Sequence, residues 1–88
     1  MSFEIRAKKK VLKFLSTLPV SYKKNIKNLL SILKEEPVPI KSADIAKLKG
    51  FENIYRIRIG KIRVVYEVKW REKIILIHRI SFRKGAYK

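Results

Sequence analysis

Residues 54–68 read Ile54-Tyr55-Arg56-Ile57-Arg58-Ile59-Gly60-Lys61-Ile62-Arg63-Val64-Val65-Tyr66-Glu67-Val68, two runs of β-branched and aromatic residues around a Gly-Lys step. Such runs suit a pleated surface, and a glycine leading a two-residue loop suits a type II′ turn. The stretch therefore predicts a β-hairpin in which Ile59 pairs with Ile62. That register sets Arg58 opposite Arg63, Ile57 opposite Val64, Arg56 opposite Val65 and Tyr55 opposite Tyr66. Side chains alternate along a strand. Tyr55, Ile57, Ile59, Ile62, Val64 and Tyr66 thus share an apolar face, while Arg56, Arg58, Arg63 and Glu67 share a charged one.

Like charges directly opposite one another weaken a strand pair. Placing Arg58 against Arg63 is therefore unfavourable unless an anion lies between them, which marks a candidate ligand site. The alternative is a solvated sheet face, with arginine stems covering apolar surface and their heads in water.

On the N-terminal side, residues 2–6 alternate weakly and predict a short strand carrying Phe3 and Ile5 on one side. From Ala7 the spacing turns helical, with Val11, Phe14, Leu15 and Leu18 on one face. Pro19 ends that helix. A longer helix is expected from Val20 to Glu36, with Tyr22, Ile26, Leu29, Leu30 and Leu33 recurring at three and four residues, and Pro37 and Pro39 stop it. Lysines on the polar helix faces, among them Lys23, Lys24, Lys27 and Lys34, read as solvated charge. Residues 38–53 lack a clear period and predict a connection, with a helical turn near residues 42–45, closed by Lys47-Leu48-Lys49-Gly50.

On the C-terminal side, Arg71-Glu72 offers a second tight turn into residues 74–80, an apolar run that suggests a strand covered on both faces or buried at the centre of the sheet. The last strand holds His78, the sole histidine, which its apolar surroundings mark as a packing residue despite its aptitude for acid–base work. Trp70 reads equally as a surface anchor and as a partner contact. The tail, Ser81-Phe82-Arg83-Lys84-Gly85-Ala86-Tyr87-Lys88, mixes cations with aromatic rings. Such a mixture suits RNA, with cations on the backbone and a ring stacked on a base, although a frayed charged terminus would look the same.

Composition narrows the partners. The 88 residues carry 23 Lys and Arg against seven Asp and Glu, a formal net charge of +16. One domain, residues 1–88, is expected, and its field calls for an anionic partner: nucleic acid, an anionic membrane surface or an acidic protein. With no cysteine there is no disulfide framework and no thiolate nucleophile or thiolate metal site, which fits a reducing cytoplasm. The first ten residues lack a signal-peptide pattern, and no apolar run approaches the ~20 residues that span a bilayer.

The order of these pieces resembles the RelE/ParE toxin superfamily, and within it the RelE-like messenger RNA interferases. The resemblance rests on the first strand, the helical hairpin ended by Pro37, Lys47-Leu48-Lys49-Gly50, Tyr55-Arg56-Ile57-Arg58, Arg63-Val64-Val65-Tyr66, Arg83 and the late Tyr87. It implies an α+β fold of the RelE-like microbial RNase type, an N-terminal helical hairpin packed on a four-stranded, mostly antiparallel sheet. The implied activity is ribosome-dependent cleavage of messenger RNA in the decoding site, by metal-independent attack of a ribose 2′-OH on the adjacent phosphate. No cofactor or metal is implied. The implied partners are the ribosome, messenger RNA and a RelB-like antitoxin that is acidic where it meets this surface.

Position by position, the resemblance puts Arg56 and Arg58 at two basic positions that are often lysine, Arg63 at a phosphate-binding arginine, Arg83 at a basic residue acting as general acid, and Tyr87 at a tyrosine that stacks on or orients the RNA. Lys47, Lys49, Lys84 and Lys88 are the accompanying RNA contacts. The arginines at both lysine positions change the chemistry, because arginine stays charged and makes no general base. Catalysis then relies on in-line positioning with charge stabilisation, or on Tyr87 with a phenol depressed by nearby arginines. Two other readings remain open: a ParE-like inhibitor of DNA gyrase, and a non-catalytic basic module that binds RNA or ribosomes.

Overall fold

The computed structural model describes residues 2–41 and 43–82. Seven elements follow in order: β1 (Glu4–Ala7), α1 (Lys9–Ser16), α2 (Val20–Glu35), β2 (Asp44–Lys47), β3 (Ile54–Ile59), β4 (Ile62–Lys69) and β5 (Ile74–Phe82). They form one five-stranded sheet in the order β1-β5-β4-β3-β2. β1 runs parallel to β5, and the remaining neighbours are antiparallel.

The hairpin has the expected register, from Ile59 opposite Ile62 to Tyr55 opposite Tyr66. Gly60 takes a φ of +57°, the left-handed conformation that the first position of a II′ turn demands and that glycine adopts without strain. The second turn also forms where Arg71-Glu72 predicts it, with the Lys73 N–H donating to the Trp70 carbonyl at 3.3 Å.

The expected strand count is corrected from four to five. β2 occupies part of the stretch read as an irregular connection, and in place of a helical turn Asp44–Lys47 pairs with β3 along the sheet edge. A four-residue edge strand has too few turns of its period to show, and Ile45 alone faces the core from it. The N-terminal strand is shifted from residues 2–6 to Glu4–Ala7.

β1 and β2 lie at opposite edges, so the helices connecting them must cross one face of the sheet. That crossing makes the core. Val11 and Leu18 from the first helix and its exit, and Ile26, Leu29 and Leu33 from the second, meet Ile57, Ile62, Val64, Tyr66, Val68, Ile75, Ile77 and Ile80. Each fully buried aliphatic side chain contributes about 1.5–3 kcal/mol. At the helix–helix corner, the Ser16 hydroxyl donates to the Lys13 carbonyl and that of Thr17 to the Phe14 carbonyl. Such bonds compete with the helical ladder, and Pro19 then precedes the first turn of α2.

Tyr66 ties the two layers together. Its ring is fully buried, stacks on Tyr55 at 5.8 Å between centroids, and its hydroxyl donates to the Pro37 carbonyl at 2.6 Å. Burial first, and the neighbouring Tyr55 second, push its phenol well above the ordinary tyrosine value of 10.0. Removing the hydroxyl strands a partly buried carbonyl. Tyr66→Phe is expected to lower stability by about 1–2 kcal/mol in urea denaturation. The unfolded phenol ionises near pH 10 while the folded one keeps its proton, so this contribution is complete below that pH. It declines above it, and the gap between wild type and Tyr66→Phe should narrow there.

Candidate functional site

The sheet face turned away from the helices collects the arginines. Asp44, Arg58, Arg63 and Ser81 form one cross-strand row, and Ala46, Arg56, Val65 and Arg79 form the next. Ile59 and Ile62 close the two-residue loop as a hydrogen-bonded pair. Arg58 and Arg63 are then the following, non-hydrogen-bonded pair, whose side chains stand closest. The structure thus sets two cations side by side where a neutral pair would be more stable.

One acid partly offsets them. Asp44 holds Arg56 Nη1 at 3.8 Å from Oδ1 and Arg58 Nη1 at 4.0 Å from Oδ2. Both distances exceed a hydrogen bond. Arg56 Nη1 and Arg63 Nε are withdrawn from solvent and have no hydrogen-bond partner. A buried donor left unpaired costs about 1–3 kcal/mol, more when charged. The face is therefore incomplete without an acceptor, and phosphate or carboxylate oxygens match guanidinium donors best.

Of the residues singled out in the sequence, Arg56, Arg58 and Arg63 come together on this face. Lys47 and Lys49 do not join them. Lys47 ends β2 opposite Tyr55, at the other end of the strand from Asp44, and Lys49 lines an open depression with Leu48, Gly50 and the exposed ring of Phe51. Arg83, Lys84, Tyr87 and Lys88 lie outside the described residues. Trp70 packs edge-on against Phe3 at 5.7 Å, and its indole N–H donates to Asn53 Oδ1 at 3.2 Å. Among the described residues, no three His, Cys, Asp or Glu side chains gather as metal ligands, and no helix is long and apolar enough to cross a membrane.

Two features were missed in the sequence. Arg79 belongs to the arginine face because β5 carries a bulge where Tyr66 pairs with Ile77 but Val65 pairs with Arg79. The bulge also brings His78 to Glu67, with Nε2 2.9 Å from Oε1. A signal existed: the buried positions of β5 run Ile75, Ile77, Ile80, so the two-residue period slips by one residue between Ile77 and Ile80.

A family model described as the ParE toxin of the type II toxin–antitoxin system parDE matches residues 2–87. The chain belongs to the RelE/ParE toxin superfamily. It is 49% identical to "Putative toxin RelE1" of Methanocaldococcus jannaschii over 88 residues, covering 100% of this chain and 98% of that protein. Its fold matches the archaeal RelE–RelB complex of Pyrococcus horikoshii OT3, with a TM-score of 0.87 and 34% identity over 97% of this chain and 99% of the other. It likewise matches the RelB–RelE antitoxin–toxin complex of Methanococcus jannaschii, with a TM-score of 0.74 and 30% identity over 93% and 94% of the two chains. The superfamily supplies an α+β toxin fold, which in this chain presents Arg56, Arg58, Arg63 and Arg79 on one sheet face.

Crowded cations with unsatisfied donors imply a trade of stability for anion binding. Arg63→Gln is expected to stabilise the fold by up to about 1 kcal/mol and so to raise the thermal or urea midpoint. Added sulfate or polyphosphate should then stabilise wild type more than the variant, as differential scanning fluorimetry can read.

Proposed function

We propose that the chain is the toxin of a type II toxin–antitoxin pair that cuts messenger RNA in the ribosomal decoding site, by attack of a ribose 2′-OH on the adjacent phosphate. The observation that carries this reading is the arginine face, with guanidinium donors that lack partners until an anion arrives. Arg56 and Arg58 hold the RNA backbone, and Arg63 spreads the charge that builds on the phosphoryl oxygens as the phosphorus becomes pentacoordinate. By the family resemblance, Arg83 steadies the leaving oxygen and Tyr87 stacks on or orients the RNA.

A site made of cations stabilises charge well and moves protons poorly. Alignment of the 2′-OH with the scissile bond therefore has to come from outside the chain. The ribosome supplies it by holding the codon, and loss of such alignment forfeits much of an effective-molarity gain that reaches ~10⁵ M or more. Naked RNA should be a poor substrate. The proposed partner is a RelB-like antitoxin, supported by the RelE–RelB complexes among the similar structures. An acidic segment laid on the open face would satisfy the same donors as phosphate and so exclude RNA. The proposed setting is the cytoplasm, where ribosomes are.

A gyrase-directed, ParE-like activity is the second reading, favoured by the description of the matching family. Purified protein added to ribosomes programmed with a defined messenger separates the two, with primer extension as the readout. Discrete cuts in the decoding-site codon that drop at least about 10²-fold in Arg83→Ala and Tyr87→Ala are the expected result. Ribosome binding without cuts would leave a non-catalytic module, and stalled gyrase complexes without ribosome binding would establish the ParE-like activity.

A further inference from the structure

The arginines leave one step of the proposed reaction without an agent, since none of them can take the proton from the 2′-OH. The same sheet face carries a group that can. The bulge in β5 leaves His78 as the extra residue between the Tyr66–Ile77 and Val65–Arg79 pairs. A bulge re-aims a side chain, and here it sets the imidazole against Glu67, with Nε2 2.9 Å from Oε1. A carboxylate only accepts hydrogen bonds, so Nε2 carries the hydrogen, and in the neutral imidazole the lone pair is then on Nδ1. That is the tautomer a general base requires, and the carboxylate behind it stabilises the imidazolium once formed.

Position supports the same role. Arg79 follows His78 and lies opposite Val65, which lies opposite Arg56. With strands ~4.8 Å apart, the Arg56 and Arg79 backbones stand ~10 Å apart across Val65, and a phosphate over Val65 is within guanidinium reach from both sides. The His78–Glu67 pair is one step along that face. The side chains are 24% and 31% exposed, open to a ligand yet partly withdrawn from water. Among the described residues, the charged groups beside His78 are Glu67 from β4, Arg79 on its own strand and Lys10 of α1, which with Val11 lines a hollow there. On β1, Arg6 is engaged by Glu4 at 2.9 Å.

We propose that His78, oriented by Glu67, is the general base of the RNA cleavage proposed above; the inference rests on that reading. Nδ1 takes the 2′-OH proton, O2′ bonds to phosphorus, and the bond from phosphorus to O5′ breaks with its electron pair leaving on O5′. Water protonates that oxygen, giving a 2′,3′-cyclic phosphate and a 5′-OH, and the imidazolium releases its proton to the hydroxide so formed. His78 is the catalytic residue and Glu67 its positioning residue.

The test is single-turnover cleavage on programmed ribosomes, for wild type, His78→Gln, His78→Ala and Glu67→Gln, from pH 5.5 to 8.5. Ribosome binding and thermal unfolding of each variant establish that it folds. His78→Gln is expected to cut about 10²–10⁴-fold more slowly and to lose the acidic limb of the wild-type pH–rate profile. Added imidazole should restore part of the rate to His78→Ala, and Glu67→Gln should retain cleavage with the limb displaced. Wild-type cutting with an unchanged rate and profile in His78→Gln overturns the inference and leaves the nuclease intact. So does a slowed His78→Ala that imidazole does not restore and that keeps the wild-type limb. Wild type that binds ribosomes without cutting overturns both.

Discussion

The pairing of Ile59 with Ile62 across the Gly60–Lys61 loop is the constraint on which the two faces of this molecule depend. A strand has a side-chain period of two, so a slip of β3 against β4 by one residue would turn Ile57 and Ile59 to solvent and drive Arg56 and Arg58 into the core beside Val64. The first loses several kcal/mol of burial, and the second buries unpaired charge. Register is therefore enforced by the helices, which need Ile57, Ile62, Val64, Tyr66 and Val68 beneath them. The arginine face is the other side of the same alternation.

That coupling explains why an electrostatically unfavourable surface persists. Among the described residues no charged side chain is buried in the core, so the core carries stability without help from ion pairs. The sheet can then hold Arg58 against Arg63 and leave Arg56 Nη1 and Arg63 Nε without hydrogen-bond partners. Asp44, on the edge strand, moderates the repulsion at 3.8 and 4.0 Å, too far to quench the donors. A face kept in this state is preorganised: the positioning of its cations was settled during folding, and little reorganisation remains when an anion binds.

How far the sequence revealed this follows from the strength of each local pattern. The hairpin was legible to the residue, because a glycine loop and a clean alternation both constrain register. The helices were legible from their apolar spacing and from Pro19 and Pro37. The edge strand Asp44–Lys47 was not, since a single core-facing isoleucine carries no period and the pairing is supplied by β3. Nor was the face of Arg79. Strict alternation from Ile77 puts it with the core, and only the slip to Ile80 corrects the count. His78 read as packing for the same reason. The strand before it is apolar, while its neighbours in space include Glu67 of β4 and Lys10 of α1.

On the reading proposed here, arginine at both of the positions that resembling toxins often fill with lysine separates two duties that one lysine can combine. A guanidinium holds phosphate in a planar fork and keeps its charge at every physiological pH. It therefore serves the ground state and the transition state, but contributes no proton traffic. That traffic must fall to a group with a lone pair on the same face, and an imidazole backed by a carboxylate is the arrangement chemistry favours. The bulge in β5 delivers that group by displacing one residue. A local irregularity in the strand thus completes what the regular alternation of the hairpin could only begin.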